Sequence, residues 1–190
     1  MCSFFMTELN DKELVSLFKS SHQREQVFRV IIERYQRKLY WHIRRMLVDH
    51  DDTDDVLQNV FIKVWKNLDQ FKEEAQLYSW LYRIASNETI SYIRKRKEER
   101  FVRLGETEEN IEGLLCEDHH FKGDEIQKKL QLAIQSLPEK QRLVFNMKYY
   151  EEMKYEDMSE ILETSVGALK ASYHHAVKKI ESYLKQQVLG

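Results

Sequence analysis

Apolar side chains recur every three or four positions along most of this chain, and the gaps between those runs are short and polar. The pattern predicts a first helix over Thr7–Ser20, with Leu9, Leu14, Leu17 and Phe18 inward and Thr7 or Asn10 as its cap. A longer helix follows over Gln23–Val48, carried by Val27, Ile31, Tyr35, Leu39, Ile43 and Met46 or Leu47. Asp49–Asp55 interrupts the pattern with carboxylates, which suit the N-terminus of the next helix, Asp54–Leu68. That helix buries Leu57, Val60, Phe61, Val64 and Leu68. Asp55, Gln58, Asn59, Lys63 and Lys66 lie elsewhere on it as a candidate polar strip for a partner, and Trp65 bridges the two faces. Asn67–Gln76 reads as a loop around Phe71, and a further helix covers Leu77–Arg100.

The second half repeats the helical rhythm with different spacing. Ile126–Leu137 places Ile126, Leu130, Ala133, Ile134 and Leu137 on one side, and Pro138 ends it where the missing N–H suits the first turn of the next helix. Glu139–Tyr150 packs Leu143, Val144, Met147 and Tyr150. Tyr155–Leu162, a tight turn at Glu163–Thr164, and Val166–Leu184 capped by Ser165 make a helix-turn-helix pattern. Five glycines and one proline in 190 residues leave few breakers, so the fold class is all-α.

Charge divides the chain. The net charge of −2 does not by itself predict nucleic-acid binding, so any such binding must come from local segregation of charge. Arg83–Arg103 carries +4, whereas Gly105–Glu125 carries −7 and holds three of the glycines. The acidic stretch reads as a linker between two small helical domains. The boundaries predicted are 7–103 for the first domain, 104–124 for the linker and 125–188 for the helix-turn-helix domain.

The Leu77–Arg100 helix carries the most specific chemistry. Tyr78, Trp80, Tyr82, Arg83, Asn87 and Tyr92 are interleaved with its apolar positions, and it runs into Arg94, Lys95, Arg96, Lys97 and Arg100. Rings that stack on unpaired bases, next to cations that hold phosphates, are what single-stranded nucleic acid requires. The competing account places the rings in the core and leaves the cations as a solvated helix end.

Other functions find less support. Cys2 and Cys116 form no CxxC pair, which fits a reducing cytoplasm without disulfides. The start has neither a basic leader nor a long apolar run, so neither a secretory signal nor a membrane span is expected. Met1 and Met6 both remain open as the translation start. His119-His120 near Cys116 and the pair His174-His175 complete no four-ligand metal set. The DHDDTDD run lacks the glycine and final glutamate of a calcium loop. With no nucleophile–base pairing and no phosphate-binding glycine loop, no enzymatic activity, no cofactor and no small-molecule substrate are expected.

Three stretches together resemble the extracytoplasmic-function class of the sigma-70 family, over roughly Thr7 to Leu184. DDTDDVLQNVFIKVW (Asp51–Trp65) is similar to the family's helix that binds core RNA polymerase. YSWLYRIASNETISYIRKRK (Tyr78–Lys97) is similar to its promoter-melting helix, and LPEKQRLVFNMKYYEEMKYEDMSEILETSVGALKASYHHAVKKI (Leu137–Ile180) to its promoter-reading domain. The resemblance implies a sigma factor that binds core polymerase, directs promoter-specific initiation, melts DNA with its N-terminal domain and reads duplex with its C-terminal one. Core contacts, on the beta and beta-prime subunits, would come from Asp54, Asp55, Gln58, Asn59, Phe61 and Trp65. Minus-ten DNA would meet Tyr78, Trp80, Tyr82, Arg83, Asn87, Arg94, Lys95, Arg96 and Lys97, with Trp80 mainly core support and the loop Lys72–Gln76 closing over a flipped base. Minus-thirty-five duplex would meet Ser165, Lys170, Ala171, His174, His175 and Lys178. An anti-sigma partner, commonly membrane-anchored in relatives, is implied, and the acidic linker would imitate transcript in the polymerase's RNA path.

The sequence departs from its relatives at two places. The recognition helix has Val166-Gly167-Ala168-Leu169-Lys170-Ala171-Ser172 and then His174-His175, without the arginine that would grip guanine in two places. That implies weaker or different groove contacts, partly pH-sensitive through the histidines. Ser91 stands where relatives often place Asp. The rival reading is a two-domain regulator that binds duplex operators through its helix-turn-helix alone. A third, an adaptor protein, leaves the aromatic-basic helix unexplained.

Overall fold

The computed structural model describes residues 8–20, 22–72, 75–104 and 125–189. Thr7, the alternative starts, Cys2, Cys116, His119-His120 and the acidic linker lie outside the described residues, as do Glu73 and Glu74 of the 72–76 loop. Among the described residues there are eight α-helices: α1 Asp11–Ser20, α2 Arg24–Leu47, α3 His50–Asn67, α4 Leu77–Leu104, α5 Glu125–Gln135, α6 Glu139–Tyr149, α7 Tyr155–Leu162 and α8 Val166–Leu189. A short 3₁₀ turn, Leu68–Gln70, joins α3 to the segment before α4. None of the described helices is long and apolar enough to cross a membrane.

Local chemistry explains the element boundaries. Asn10 accepts a hydrogen bond from the Glu13 amide at 3.1 Å, while its own amide donates to the Glu13 carboxylate at 2.7 Å, a reciprocal capping box that starts α1. The expected break over Asp49–Asp55 is instead the beginning of α3. Asp49 is the N-cap, accepting from the Asp52 amide at 2.9 Å, and Asp51 and Asp52 occupy the first turn. Carboxylates there complement the helix dipole, so the acidic run extends the helix by four residues. Pro138 is the N-cap of α6 and so stands one position ahead of the first turn expected for it. Glu163 adopts a left-handed conformation (φ 50°) that turns α7 into α8.

The packing puts α1 to α4 around one core, with Phe18, Leu39, Ile43, Val60, Val64, Leu81 and Ala85 buried. Val15 and Val56 belong to it too, although the sequence did not single them out. In the second half Ala133, Ile134, Leu137, Phe145, Ala176 and Ile180 form a smaller cluster. Ile126, expected inward, is 73% exposed, because α5 turns its Ala133–Ile134 side to α8.

The halves are not separate in this conformation. Leu143, Val144, Met147, Met153, Met158, Ile161 and Leu169 join the N-terminal core, so one apolar cluster runs through both halves. The contact is made by α2 on α6 and α4 on α7. Helix α6 therefore buries residues all round, Leu143 and Met147 toward one cluster and Phe145 toward the other.

Candidate nucleic-acid and polymerase surfaces

Helix α3 presents an exposed stripe outward from the N-terminal core. Asp54, Asp55, Gln58 and Asn59 are exposed and Phe61 is half-buried. Trp65 is 37% exposed, and its ring meets Phe18 at 5.3 Å and Phe28 at 5.0 Å edge-on. The Arg24 guanidinium lies 5.8 Å from the Trp65 ring and 4.4 Å from Phe18, so the indole is anchored beneath a cation. Ile62 is 44% exposed in the middle of this stripe. Sequence reading passed over it. The available signal was an apolar residue two positions off the buried Val60 and Val64.

Helix α4 separates the residues expected to meet minus-ten DNA. Asn87, Arg94, Lys95 and Lys97 are exposed, whereas Tyr78, Trp80, Arg83 and Arg96 are half-buried. Trp80 packs its ring 5.0 Å from Phe71. Tyr82 is only 3% exposed; its ring centre lies 4.4 Å from Tyr78 and 4.9 Å from His42. Burial pushes the Tyr78 phenol up to about 12, and nearby Glu151 and Asp157 push the same way against a hydrogen bond with Tyr82. Burial raises the Tyr82 phenol further still. Arg96 pairs with Asp52, whose carboxylate also accepts from the Tyr92 hydroxyl at 2.5 Å, tying α4 to the first turn of α3.

The cations of α4 and the polar groups of α2 meet the C-terminal half along one seam. Arg83 donates to the Glu163 carboxylate and to the Glu160 carbonyl, both at 2.7 Å, and the Ser79 hydroxyl donates to the Glu160 carboxylate at 3.0 Å. His42 lies 2.9 Å from Glu151 and 3.0 Å from the Ser86 hydroxyl, and Arg45 lies 3.7 Å from Glu151. Gln135 and Asn146 both donate to the Arg45 carbonyl, which terminates α2's hydrogen-bonding across the seam. Glu139 holds Lys97 at 2.8 Å and Arg94 at 3.9 Å. None of these cross-half partners was legible in the sequence.

Glu139 gives the seam a pH signature. The hydrogen bond from Lys97 holds its carboxyl below the usual carboxylate range; partial burial opposes this, and the charges of Lys97, Arg94 and Arg142 assist it. A folded pKa below the unfolded one contributes stability above the ordinary glutamate value, and that contribution is lost as pH falls through the depressed folded value. Glu139→Gln is therefore expected to lower stability at about pH 7 and to have little effect at about pH 3, as read by urea melts at the two pH values. The effect at neutral pH stays modest because the pair is partly exposed.

Helix α8 displays a clean outward stripe. Ser165, Lys170, Ala171, His174, His175 and Lys178 are all exposed, while Leu169, Ala176 and Ile180 are buried on the opposite side. Ser165 Oγ accepts from the Ala168 amide at 3.3 Å and caps the helix. Lys170 Nζ lies 5.6 Å from the Tyr155 ring centre, and Lys148 Nζ 5.0 Å from it, so one phenol flanks two cations beside the stripe. Among the described residues no group of three or more His, Cys, Asp or Glu comes together as a metal site.

Comparison with known proteins bears on these surfaces. The Sigma-70 region 2 family matches residues 31–99 and the Sigma-70, region 4 family residues 127–180. The chain is 30% identical to the ECF RNA polymerase sigma factor SigW of Bacillus subtilis, over 94% of this chain and 98% of that one. It is 29% identical to the RNA polymerase sigma-H factor of Pseudomonas aeruginosa, over 95% and 96% of the two chains. Among solved structures, the sigma factor RpoE in complex with the anti-sigma factor NepR from Bartonella quintana superposes with a TM-score of 0.68 at 23% identity, covering 83% of this chain and 96% of that one. CnrH in complex with the cytosolic domain of CnrY gives 0.67 at 22% identity, covering 93% and 97%. The fold is thus that of these sigma factors, and the chain belongs to the extracytoplasmic-function subfamily of the sigma-70 family of RNA polymerase sigma factors.

Proposed function

We propose that this chain, as a sigma factor acting with RNA polymerase in promoter-directed initiation, divides its work among the three surfaces described above. The exposed stripe of α3 seats core polymerase, on its beta and beta-prime subunits. Helix α4 takes the minus-ten element as single strand, with Tyr78, Tyr82, Arg83 and Asn87 around an extruded base and Arg94, Lys95, Arg96 and Lys97 along the phosphates. Extruding a base costs a few kcal/mol, and stacking on rings returns about 1–3 kcal/mol per base, so one or two rings offset one extrusion. Helix α8 lies in the major groove of the minus-thirty-five duplex. The corresponding units are 7–103 and 125–188, joined by the acidic segment 104–124. The NepR and CnrY complexes of structurally similar proteins support an anti-sigma protein as a further partner.

The observation that carries this reading is the α8 stripe, a capped helix with its cations and imidazoles outward and its apolar side buried, in the same chain as α4, a second helix rich in rings and cations. A duplex-only operator binder would need the first and not the second. The test mixes purified chain with core polymerase and a supercoiled library of genomic promoter fragments. Specific transcript starts are expected. Lys170→Ala combined with His174→Ala and His175→Ala should cut initiation at those starts roughly tenfold or more, since each good base contact contributes about 1–3 kcal/mol. Loss of duplex binding with no core-dependent transcription from the parent chain would favour the operator-binding reading instead.

A further inference from the structure

We infer that His174 and His175 are the base readers of this chain and that they read guanine as imidazolium, so that gripping the upstream duplex takes up protons. This deepens the reading of α8 as the helix of the minus-thirty-five groove and rests on it. Both side chains are exposed in the middle of the outward stripe, and their ring centres lie 6.2 Å apart. Successive bases along a strand stand about 3.4 Å apart, so the two rings span slightly less than two steps and can meet different base pairs. The lysines stand around them. Lys170 and Lys178 lie one turn to either side of His174 on the same face. Lys170 Nζ lies 5.6 Å from the Tyr155 ring, whose other neighbour is Lys148, so it is drawn to the edge of the stripe and placed for a phosphate. The imidazoles are left at the centre, where base edges are met.

An arginine in their place would only donate, at any pH. A neutral imidazole has one donor and one acceptor, and so tolerates the amino groups of adenine and cytosine. Imidazolium has two donors and no acceptor, which suits the O6 and N7 acceptors of guanine. Among the described residues neither ring has an ion-pair or hydrogen-bond partner. The charged groups on their own helix nearest to them are Lys170, Lys178 and Lys179, with Glu181 further along. Helices α5, α6 and α7 pack against α8 on its other side, and α6 and α7 bring Lys148 and the Tyr155 phenol to the Lys170 end of the stripe. The free chain therefore offers the two rings cations as neighbours, whereas the groove offers phosphates. An opposite charge close by favours the charged form, so the complex holds protons that the free chain does not. An imidazole ordinarily titrates at about 6.5. The binding gained from protonation is fully present below that value, and it is lost as pH rises through the higher value that holds in the complex.

The test uses the full chain assembled with core polymerase. The probe is a labelled duplex of one recovered promoter with guanine in its minus-thirty-five element, and the same duplex with that element randomised. Three chains are compared: the parent, His174→Gln/His175→Gln, which stays neutral, and His174→Lys/His175→Lys, which stays charged. Gln and Lys are good helix formers, and both positions are exposed, so all three chains fold. Affinity is measured at about pH 6 and about pH 8 in the same salt, because phosphate contacts are salt-dependent. Dividing each response by that of the Gln pair removes whatever else titrates, including His42 beside Glu151 and His50 beside Asp54. Between pH 8 and pH 6 the parent should gain about fivefold over the Gln pair, the factor that follows if the complex favours the charged form of one imidazole about tenfold. The Lys pair should bind at both pH values and gain no more than the Gln pair. Sequencing of bound randomised duplex should show guanine enriched by the parent at pH 6, less so at pH 8 and not by the Gln pair. A parent whose response matches the Gln pair within about twofold, or whose guanine preference is the same at both pH values, overturns the inference. Absence of any base preference in all three chains at both pH values removes α8 from the groove, and the inference falls with that reading.

Discussion

Replacing Tyr82 by alanine should lower the melting temperature by about 10 °C and abolish promoter opening, whereas Tyr82→Phe should do neither. The ring is 3% exposed and sits between Tyr78 and His42. Truncating a buried aromatic to alanine costs about 3–5 kcal/mol, from lost transfer energy and from the cavity left behind. For a chain of this size each kcal/mol moves the midpoint by about 2–4 °C. Phenylalanine keeps the ring and loses only the hydroxyl's hydrogen bond with Tyr78, about 1 kcal/mol. The pair of variants separates the two uses of this side chain. If the ring serves the closed state and also stacks on a base in the open one, Phe preserves both and Ala loses both. Calorimetry reads the first, and permanganate reactivity of unpaired thymines in a polymerase–promoter mixture reads the second. A Tyr82→Ala protein that melted like the parent would contradict the burial described above. One that still opened DNA when held well below its melting point would remove Tyr82 from the minus-ten site.

Much of the fold could be read from apolar periodicity because most helices here bury one side only. Val27, Ile31, Tyr35, Leu39 and Ile43 mark α2 at helical spacing, and all five are buried. The reading failed where polar residues do structural work. Asp49 to Asp55 looked like an interruption because five carboxylates in seven residues repel in an extended chain. In the fold they lie at a helix start, where free backbone amides and the dipole accept them. The seam was illegible for a related reason. His42, Ser79, Ser86 and Asn146 are polar, so a reading of apolar spacing passes over them even where, like His42 beside Leu39 and Asn146 beside Leu143, they fall on a buried face, and partners such as Arg45 and Asn146 lie 101 residues apart in sequence. Nothing local announces such a partner. The outward stripe of α8 was legible residue by residue, since Leu169, Tyr173, Val177 and Ile180 define the inward side and leave Lys170, Ala171, His174, His175 and Lys178 outside. That α8 continues to Leu189 rather than ending at Leu184 follows from the absence of any Gly or Pro before Gly190.

On the polymerase side, Ile62→Glu should weaken binding to core polymerase about thirtyfold while leaving the fold intact. Ile62 is 44% exposed and lies on the stripe with Asp55, Gln58, Asn59 and Trp65. A side chain this exposed supports the isolated chain little, so its replacement by a good helix former should change stability by no more than about 0.5 kcal/mol. The new carboxylate would face Lys66 one turn on, a favourable spacing for the free helix. The same change places a charge at the centre of an interface. An apolar anchor ringed by polar groups is the typical arrangement of a residue whose loss costs about 2 kcal/mol on binding, which is about thirtyfold in affinity. Trp65 is a less decisive probe, because its ring also packs against Phe18, Phe28 and Arg24 and its removal would loosen α1 and α2. Ile62→Leu keeps an apolar anchor of the same volume and should bind nearly as the parent does. Fluorescence titration of labelled chain with core polymerase gives the affinities, and melting curves give the control. An unchanged affinity for Ile62→Glu would move the polymerase interface off α3, since no partner could bury that stripe and be indifferent to a carboxylate at its centre.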